Sequence, residues 1–237
     1  MNAAILPSVL VTRPEPGASE TAQKLLKMGF APVLAPCLHI RRLPARLPAS
    51  GLVQAVLVTS GNAADTLPLS HHGLRLLAVG DATAARAEKA GFTDARSAAG
   101  DAQDLVELAA RLLDPAGAAL LLACGAGDGA DIARALRRRG FRVQRRVLYA
   151  AEPAPSLPDS AVAALKSNDL HAATFFSAET AGYFVRLVIQ AGLAPALGAT
   201  TALAISPAVA LALAELPWRT VLSASRPNQD ELLALLT

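Results

Sequence analysis

The chain contains its own copy, and that repeat limits the folds open to it. Residues Ala119 to Tyr149 read as a short apolar strand (Leu120 to Ala123), a glycine-rich turn (Cys124 to Gly129), a helix from Ala130 to Arg139 ended by Gly140, and a second strand from Arg142. The same unit lies at Val9 to Leu38, where Gly29 and Phe30 stand in for Gly140 and Phe141. Further along, Ser177 answers Ser60 and Ala181 answers Ala64, and later still Gln229-Asp230 answers Gln103-Asp104. The separations grow slightly and stay in order, as expected for two copies of one half of roughly 115 residues with small loop insertions. Two copies point to a two-lobed protein rather than a solenoid.

A chain of 237 residues is long enough for two cores of ordinary size. Hydrophobic residues make up 53% and aromatic ones only 4%, so those cores must be built from Ala, Leu and Val, which suits helices packed on parallel strands. A net charge of +3 does not demand nucleic acid, but it suits an anionic small ligand. Arg13 and Glu15 interrupt any apolar leader core, so no signal peptide is expected. Pro195, Gly198 and Pro207 break the charge-free run from Leu187 to Ala214, so no membrane span is expected either. Cys37 and Cys124 stand far apart without metal or redox spacing, which fits a reducing cytoplasm.

In chain order, Val9 to Thr12 reads as a first strand, followed by a helix capped by Ser19 and running to Met28, and by a short strand at Val33 to Ala35. The Pro-broken, basic segment after Pro36 reads as a connector, and Ala151 to Pro158 as a second one. Between them lie strands at Ala55 to Thr59 and Leu76 to Val79, a helix to Lys89, and a periodic helix from Gln103 to Leu113 with Leu105, Leu108, Ala109 and Leu112 on one face. The last third repeats strand and helix twice, from Thr174 and from Leu203, and closes on a helix from Asn228 to Leu236. Strands alternating with helices throughout imply an α/β protein of flavodoxin or Rossmann type, with parallel sheets flanked by helices.

In such sheets the ligand crevice lies at the carboxyl ends of the strands. The loops there are Thr12-Arg13, Thr59-Ser60-Gly61-Asn62, Gly80-Asp81-Ala82-Thr83, Cys124-Gly125-Ala126, Phe176-Ser177-Ala178 and Ser206-Pro207. They are small, hydroxyl-bearing or glycyl, and several open a helix, where free N–H groups attract anions. The candidate binding residues are therefore Thr12, Arg13, Ser60, Gly61, Asn62, Gly80, Cys124, Gly125 and Ser177.

Gly125-Ala126-Gly127-Asp128-Gly129-Ala130 has the outline of a dinucleotide fingerprint, but the following strand offers Gln144, Arg145 and Arg146 where a ribose-binding acid belongs, so a tight strand-to-helix turn is the default. Arg137, Arg138, Arg139, Arg142, Arg145 and Arg146 have two open readings, a solvated helix end or a binding role for carboxylate or phosphate. His39, His71, His72 and His171 lack ligand spacing, so no metal site is expected. Ser60 and Ser177 lack the glycines of a nucleophile elbow, and an inert small side chain is the plainer reading of Cys124. Tyr149 ends a strand just before the second connector, where an interfacial packing role and a site role stand level.

The runs VLVTRP at Val9, VTSGNA at Val58, LLAVGDATAARAEKAGF at Leu76, LLLACGAGDGADIARALRRRGFRV at Leu120, VLYAAEP at Val147 and TFFSAETAGYF at Thr174 resemble the uroporphyrinogen-III synthase family in order and spacing. The resemblance implies two lobes, residues 1–36 with 154–237 and residues 45–146, joined by connector strands at 37–44 and 147–153. It implies closure of the linear tetrapyrrole hydroxymethylbilane to uroporphyrinogen III, with loss of water and inversion of the last ring, and no cofactor or metal. Expulsion of a hydroxymethyl oxygen by an electron-rich pyrrole needs modest acid help, whereas folding the chain so that the last ring attacks through its substituted carbon is a positioning problem. The family ties activity to a Thr and a Tyr that match Thr83 and Tyr149. The second copy of the turn reads Ser206-Pro207-Ala208-Val209, which moves or loses that hydroxyl. A cytoplasmic monomer without nucleic-acid or membrane partners is expected. The alternative is a non-catalytic two-lobed binding protein for an anionic metabolite.

Overall fold

The computed structural model describes residues 6–236. In chain order, β1 (Ser8–Val11), α1 (Gly17–Lys27), β2 (Ala31–Leu34) and β3 (Leu38–Arg42) are followed by β4 (Val53–Val58), α2 (Gly61–Ala64), β5 (Arg75–Ala78), α3 (Asp81–Lys89), β6 (Ala95–Ser97) and α4 (Ala102–Leu112). Then come β7 (Ala119–Gly125), α5 (Ala130–Arg138), β8 (Val143–Pro153), α6 (Asp159–Lys166), β9 (Leu170–Phe175), α7 (Ala178–Gln190), β10 (Thr201–Ala204), α8 (Pro207–Ala212), β11 (Thr220–Ser223) and α9 (Gln229–Leu233). They form one sheet ordered β11-β10-β9-β1-β2 and another ordered β3-β8-β7-β4-β5-β6. The chain divides into two compact units, Ile40–Ala151 and the residues on either side of it.

The sequence repeat reappears as an identity of register. β1 pairs with β9 as Ser8 with Leu170 and Val9 with Ala172, skipping His171; β7 pairs with β4 as Ala119 with Val53 and Leu120 with Ala55, skipping Gln54. The outer pairs agree as well: Val9 faces Pro32 as Leu120 faces Val143, and Ala202 faces Val221 as Leu76 faces Ala95. Each sheet therefore takes a strand-helix-strand unit from one copy and three strands from the other, with β3 added at the edge of the six-stranded sheet, and the units do not divide near Gly117, where the copies join.

The central strands are buried on both faces, which is why they read as unbroken apolar runs. Val56, Val58, Leu121 and Ala123 share one core cluster, while Ala55, Leu57, Leu120 and Leu122 share another on the opposite face. In the other sheet Leu10 faces one cluster, and Val9 and Val11 the second. Helices thus cover both sides of each sheet, and the cores are mainly Ala, Leu and Val, with Phe175 and Phe184 edge-to-face at 5.1 Å in one of them.

Several local expectations are revised. Helix α1 starts at Gly17, so Ser19 lies inside the first turn and does not cap it; its N–H and hydroxyl donate instead to the Glu15 carboxylate at 3.1 and 2.7 Å. Leu112 is 41% exposed, and Val106 takes its place on the buried face of α4. That helix opens with a capping box between Asp101 and Asp104. Helix α6 and strands β6 and β11 carry too few large apolar residues to be legible in the sequence. Parallel pairing is not universal either. Leu43 N–H donates to Leu148 C=O and Ala154 N–H to Cys37 C=O, so the edge strand β3 runs antiparallel to β8. Among the described residues no helix is long and apolar enough to cross a membrane.

The bulge residue Gln54 anchors the loop before β7. Its amide donates to Asp114 C=O at 2.8 Å and Ala118 C=O at 2.5 Å and accepts from Asp114 N–H at 3.2 Å. Gln54→Ala leaves those backbone groups without their partner and should lower stability by about 2 kcal/mol. Urea denaturation of the two forms measures it, and coincident midpoints would assign the loop its own stability.

Candidate active site

In the Ile40–Ala151 unit the site residues gather where β4, β5 and β7 end; β8 runs on to Pro153, so Tyr149 does not end its strand as expected but lies inside it, opposite the last residue of β7. Gly125 faces Tyr149 across the β7–β8 pair, and Ala126 N–H donates to Tyr149 C=O at 2.8 Å. The Tyr149 ring lies flat against Gly125: a Cβ there would sit 2.8 Å from Cζ and 2.9 Å from the phenol oxygen. Glycine is required because no side chain fits between strand and ring. Tyr149 is 6% exposed. Burial pushes its phenol up from the ordinary value of 10.0; the neighbouring Ser60 hydroxyl and the Arg86 guanidinium act the other way, and the Asp128 carboxylate and Cys124 add to the rise.

Ser60 is also the cap of α2, its hydroxyl accepting from Asn62 N–H at 3.2 Å. The Asn62 side chain is not free for ligand on its carbonyl side, because Arg86 Nη2 donates to it at 2.9 Å. Arg86 also donates Nε to Asp65 Oδ2 at 2.9 Å and pairs with the same oxygen through Nη2. Its stem crosses Gly61, where a Cβ would meet Arg86 Cδ at 2.3 Å. The sequence did not single out Arg86 or Asp65: an arginine on α3 reads as helix-surface charge, and only the glycine at 61 hints that something lies across the helix start. Thr59, just before Ser60, has a buried hydroxyl without a partner among the described residues.

Gly80 opens α3 without a capping side chain, and Asp81 puts a carboxylate in the first turn, which competes with any anion there. Thr83 is half-buried on that turn, and its hydroxyl has no protein partner among the described residues. Cys124 is fully buried, with its thiol donating to Asp128 C=O at 3.3 Å, and burial raises its pKa. It shapes the 124–129 loop from inside, where Gly127 and Gly129 adopt φ of +89° and +78°, and presents no thiol to solvent.

In the other unit, Thr12 is likewise fully buried, its hydroxyl donating to Thr174 C=O at 2.7 Å while Thr174 returns a bond to Leu10 C=O at 3.1 Å. That pair fastens β1 to β9 and leaves Thr12 no hydroxyl to offer. Arg13 stacks over the Phe176 ring at 4.2 Å and donates to Gln229 Oε1 at 3.0 Å. Ser177 caps α7, accepting from Thr180 N–H at 3.1 Å. His71 and His72 are bonded to the Pro48 and Leu67 carbonyls, and among the described residues no group of three or more His, Cys, Asp or Glu is placed to hold a metal.

Two α/β units that share a five-strand arrangement, one with β3 added at its edge, and that carry glycyl and hydroxyl loops at their strand ends define a two-unit α/β class of protein. The family model described as "Uroporphyrinogen-III synthase HemD" matches residues 19–234, and the chain belongs to that family. The fold agrees with solved structures. The uroporphyrinogen-III synthetase of Helicobacter pylori superposes with a TM-score of 0.60 at 18% identity, covering 97% of this chain and 98% of that one. A mutant uroporphyrinogen III synthase of Thermus thermophilus gives 0.53 at 21% identity, covering 96% of each chain. A search of curated proteins found no match.

The raised phenol pKa gives a direct test. Because the folded value lies above the unfolded one, its stabilising contribution is complete below pH 10.0 and is lost as pH rises through the folded value. The chain has two tyrosines. The difference in phenolate absorbance between native protein and Tyr149→Phe should therefore titrate above pH 10.0; a midpoint at or below it would contradict the burial.

Proposed function

We propose that the protein is a lyase that closes hydroxymethylbilane to uroporphyrinogen III, with Tyr149 as the proton donor to the departing hydroxyl and Thr83 as a hydrogen-bonding partner of the tetrapyrrole. The observation that carries the reading is the buried Tyr149 phenol packed on Gly125, a group neutral at physiological pH whose pKa burial pushes further up. The ring nitrogen of the terminal pyrrole supplies the electron pair that breaks the C–O bond. The phenol proton leaves with the oxygen as water; attack through the substituted carbon gives a spiro centre with no proton to lose, so the old methylene bond at that carbon breaks, the freed methylene closes on the ring's unsubstituted α carbon, and the proton lost there returns to the phenolate. Arg86 lies close enough to ease the negative charge for that interval.

Inversion requires the last ring to attack through its substituted carbon, which is a matter of holding the chain in one folded arrangement. Backbone N–H groups at Gly80 and Gly125, the hydroxyls of Ser60 and Ser177, and the guanidinium of Arg13 are the groups we assign to the substrate's carboxylates. Thr12 and Cys124 contribute through the strand and loop they fasten. We take residues 1–36 with 154–237 and residues 45–146 as the two lobes, and the protein as a cytoplasmic monomer with no nucleic-acid or membrane partner. The two free, buried cysteines agree with a reducing compartment.

Tyr149→Phe should fold and lose roughly 10²-fold in rate, with residual activity because the pyrrole expels its own leaving group. Gly125→Ala, which displaces the ring and keeps the hydroxyl, should fall between the two, and Thr83→Ala should be milder still. Freshly made hydroxymethylbilane with separation of the product isomers reads all three. Full activity and correct inversion in Tyr149→Phe would remove the phenol from the mechanism. Arg13→Ala should raise KM and spare kcat; an unchanged KM would confine Arg13 to its Phe176 stack.

A further inference from the structure

Helix α5 and strand β8 place four arginines around one open groove of about 670 Å³, lined by Ala130, Ala133, Arg134, Arg137, Arg138 and Arg145. It shares no residue with the loops around Tyr149. The electrostatics of the groove are one-sided. Arg137 donates to Val143 C=O at 2.9 Å, and Arg145 Nε to Asp128 C=O at 2.7 Å. Those bonds fix the guanidiniums without neutralising them. The Arg138 side chain has no hydrogen bond or ion pair among the described residues. Only Arg134 has a carboxylate partner, the exposed Asp131 at 2.7 Å. The neighbouring arginines outside the groove are spent elsewhere: Arg139 on Glu107, Arg142 on Gly117 C=O and Arg146 on Arg46 C=O.

Arg134, Arg137 and Arg138 stand at helical spacing on one face, so their heads converge on a ligand lying along α5. Fixed, planar guanidiniums with spare donors match phosphate oxygens bidentately, and each phosphate concentrates more charge than a carboxylate. The only apolar lining is two alanine methyls, and no aromatic ring faces the groove, so nothing there would stack a nucleobase or a pyrrole. We propose that this groove is a second, separate binding site for a compact oligophosphate anion.

Isothermal titration of the full chain with inorganic tripolyphosphate tests it. One saturable site is expected, weakening as salt rises, at least tenfold tighter than for orthophosphate or citrate. Arg138→Glu, which breaks no internal bond, should weaken tripolyphosphate at least tenfold, while Arg75→Gln on the β5 strand should leave it unchanged. Binding that persists in Arg138→Glu, or that does not exceed orthophosphate, overturns the site. Citrate binding as tight as tripolyphosphate overturns the phosphate assignment. Arg138→Glu should also keep the synthase rate within twofold. A rate that fell with tripolyphosphate affinity would give the groove to the tetrapyrrole, whatever the role of Tyr149, and overturn its separateness.

Discussion

Everything in each unit hangs on one strand pair, β1 with β9 and β4 with β7, buried on both faces and locked in the same bulged register. In a parallel sheet a slip of one residue would turn every side chain to the opposite face, and with two different cores to fill that slip is forbidden. The bulge at His171 and Gln54 sets how the strand ends are offset, and the strand ends carry the loops. In one unit the pair is fastened by the reciprocal Thr12 and Thr174 bonds to backbone; in the other, Leu57 and Ala123 stand at those places and packing alone serves.

Tyr149 illustrates how that register reaches the chemistry. Its ring can lie on β7 because the residue opposite it is Gly125, and the residue opposite it is fixed by the β7–β8 pairing. The phenol then stands among groups of opposite effect. Burial and Asp128 favour the neutral form, while Ser60 and Arg86 favour the phenolate. The proposed role as proton donor would use both: a neutral ground state, and partners that receive the charge when the proton leaves.

Much of the architecture was legible in the sequence because a twofold repeat with strand and helix periods leaves few alternatives. The α/β class, most strands and the loop set followed from apolar runs bounded by glycine and serine. What was not legible depended on partners distant in the chain. Leu112 fits the helical period and still faces solvent, because α4 ends at the rim of its core. Ser19 has the chemistry of a cap, but Glu15 competes for it. Thr12 and Cys124 stand at the ends of strands as site residues would, yet their side chains turn inward, a choice made by the Thr174 and Asp128 carbonyls. Arg86 was invisible because its meaning lies in Gly61 and Asp65, at the two ends of α2.

The two copies share a scaffold and differ in what they do with it. The cap Ser60 keeps its counterpart in Ser177, since each opens a helix and the need is structural. The two positions proposed for chemistry in one unit are apolar in the other: Thr83 corresponds to Val209 and Tyr149 to Leu38, both buried apolar residues. Gly125, which makes room for the tyrosine, corresponds to Pro14. A hydroxyl or phenol at the strand ends is therefore no requirement of the fold, which is completed equally well by valine and leucine. On the proposed reading, its presence in only one of two equivalent places puts the acid chemistry in the Ile40–Ala151 unit.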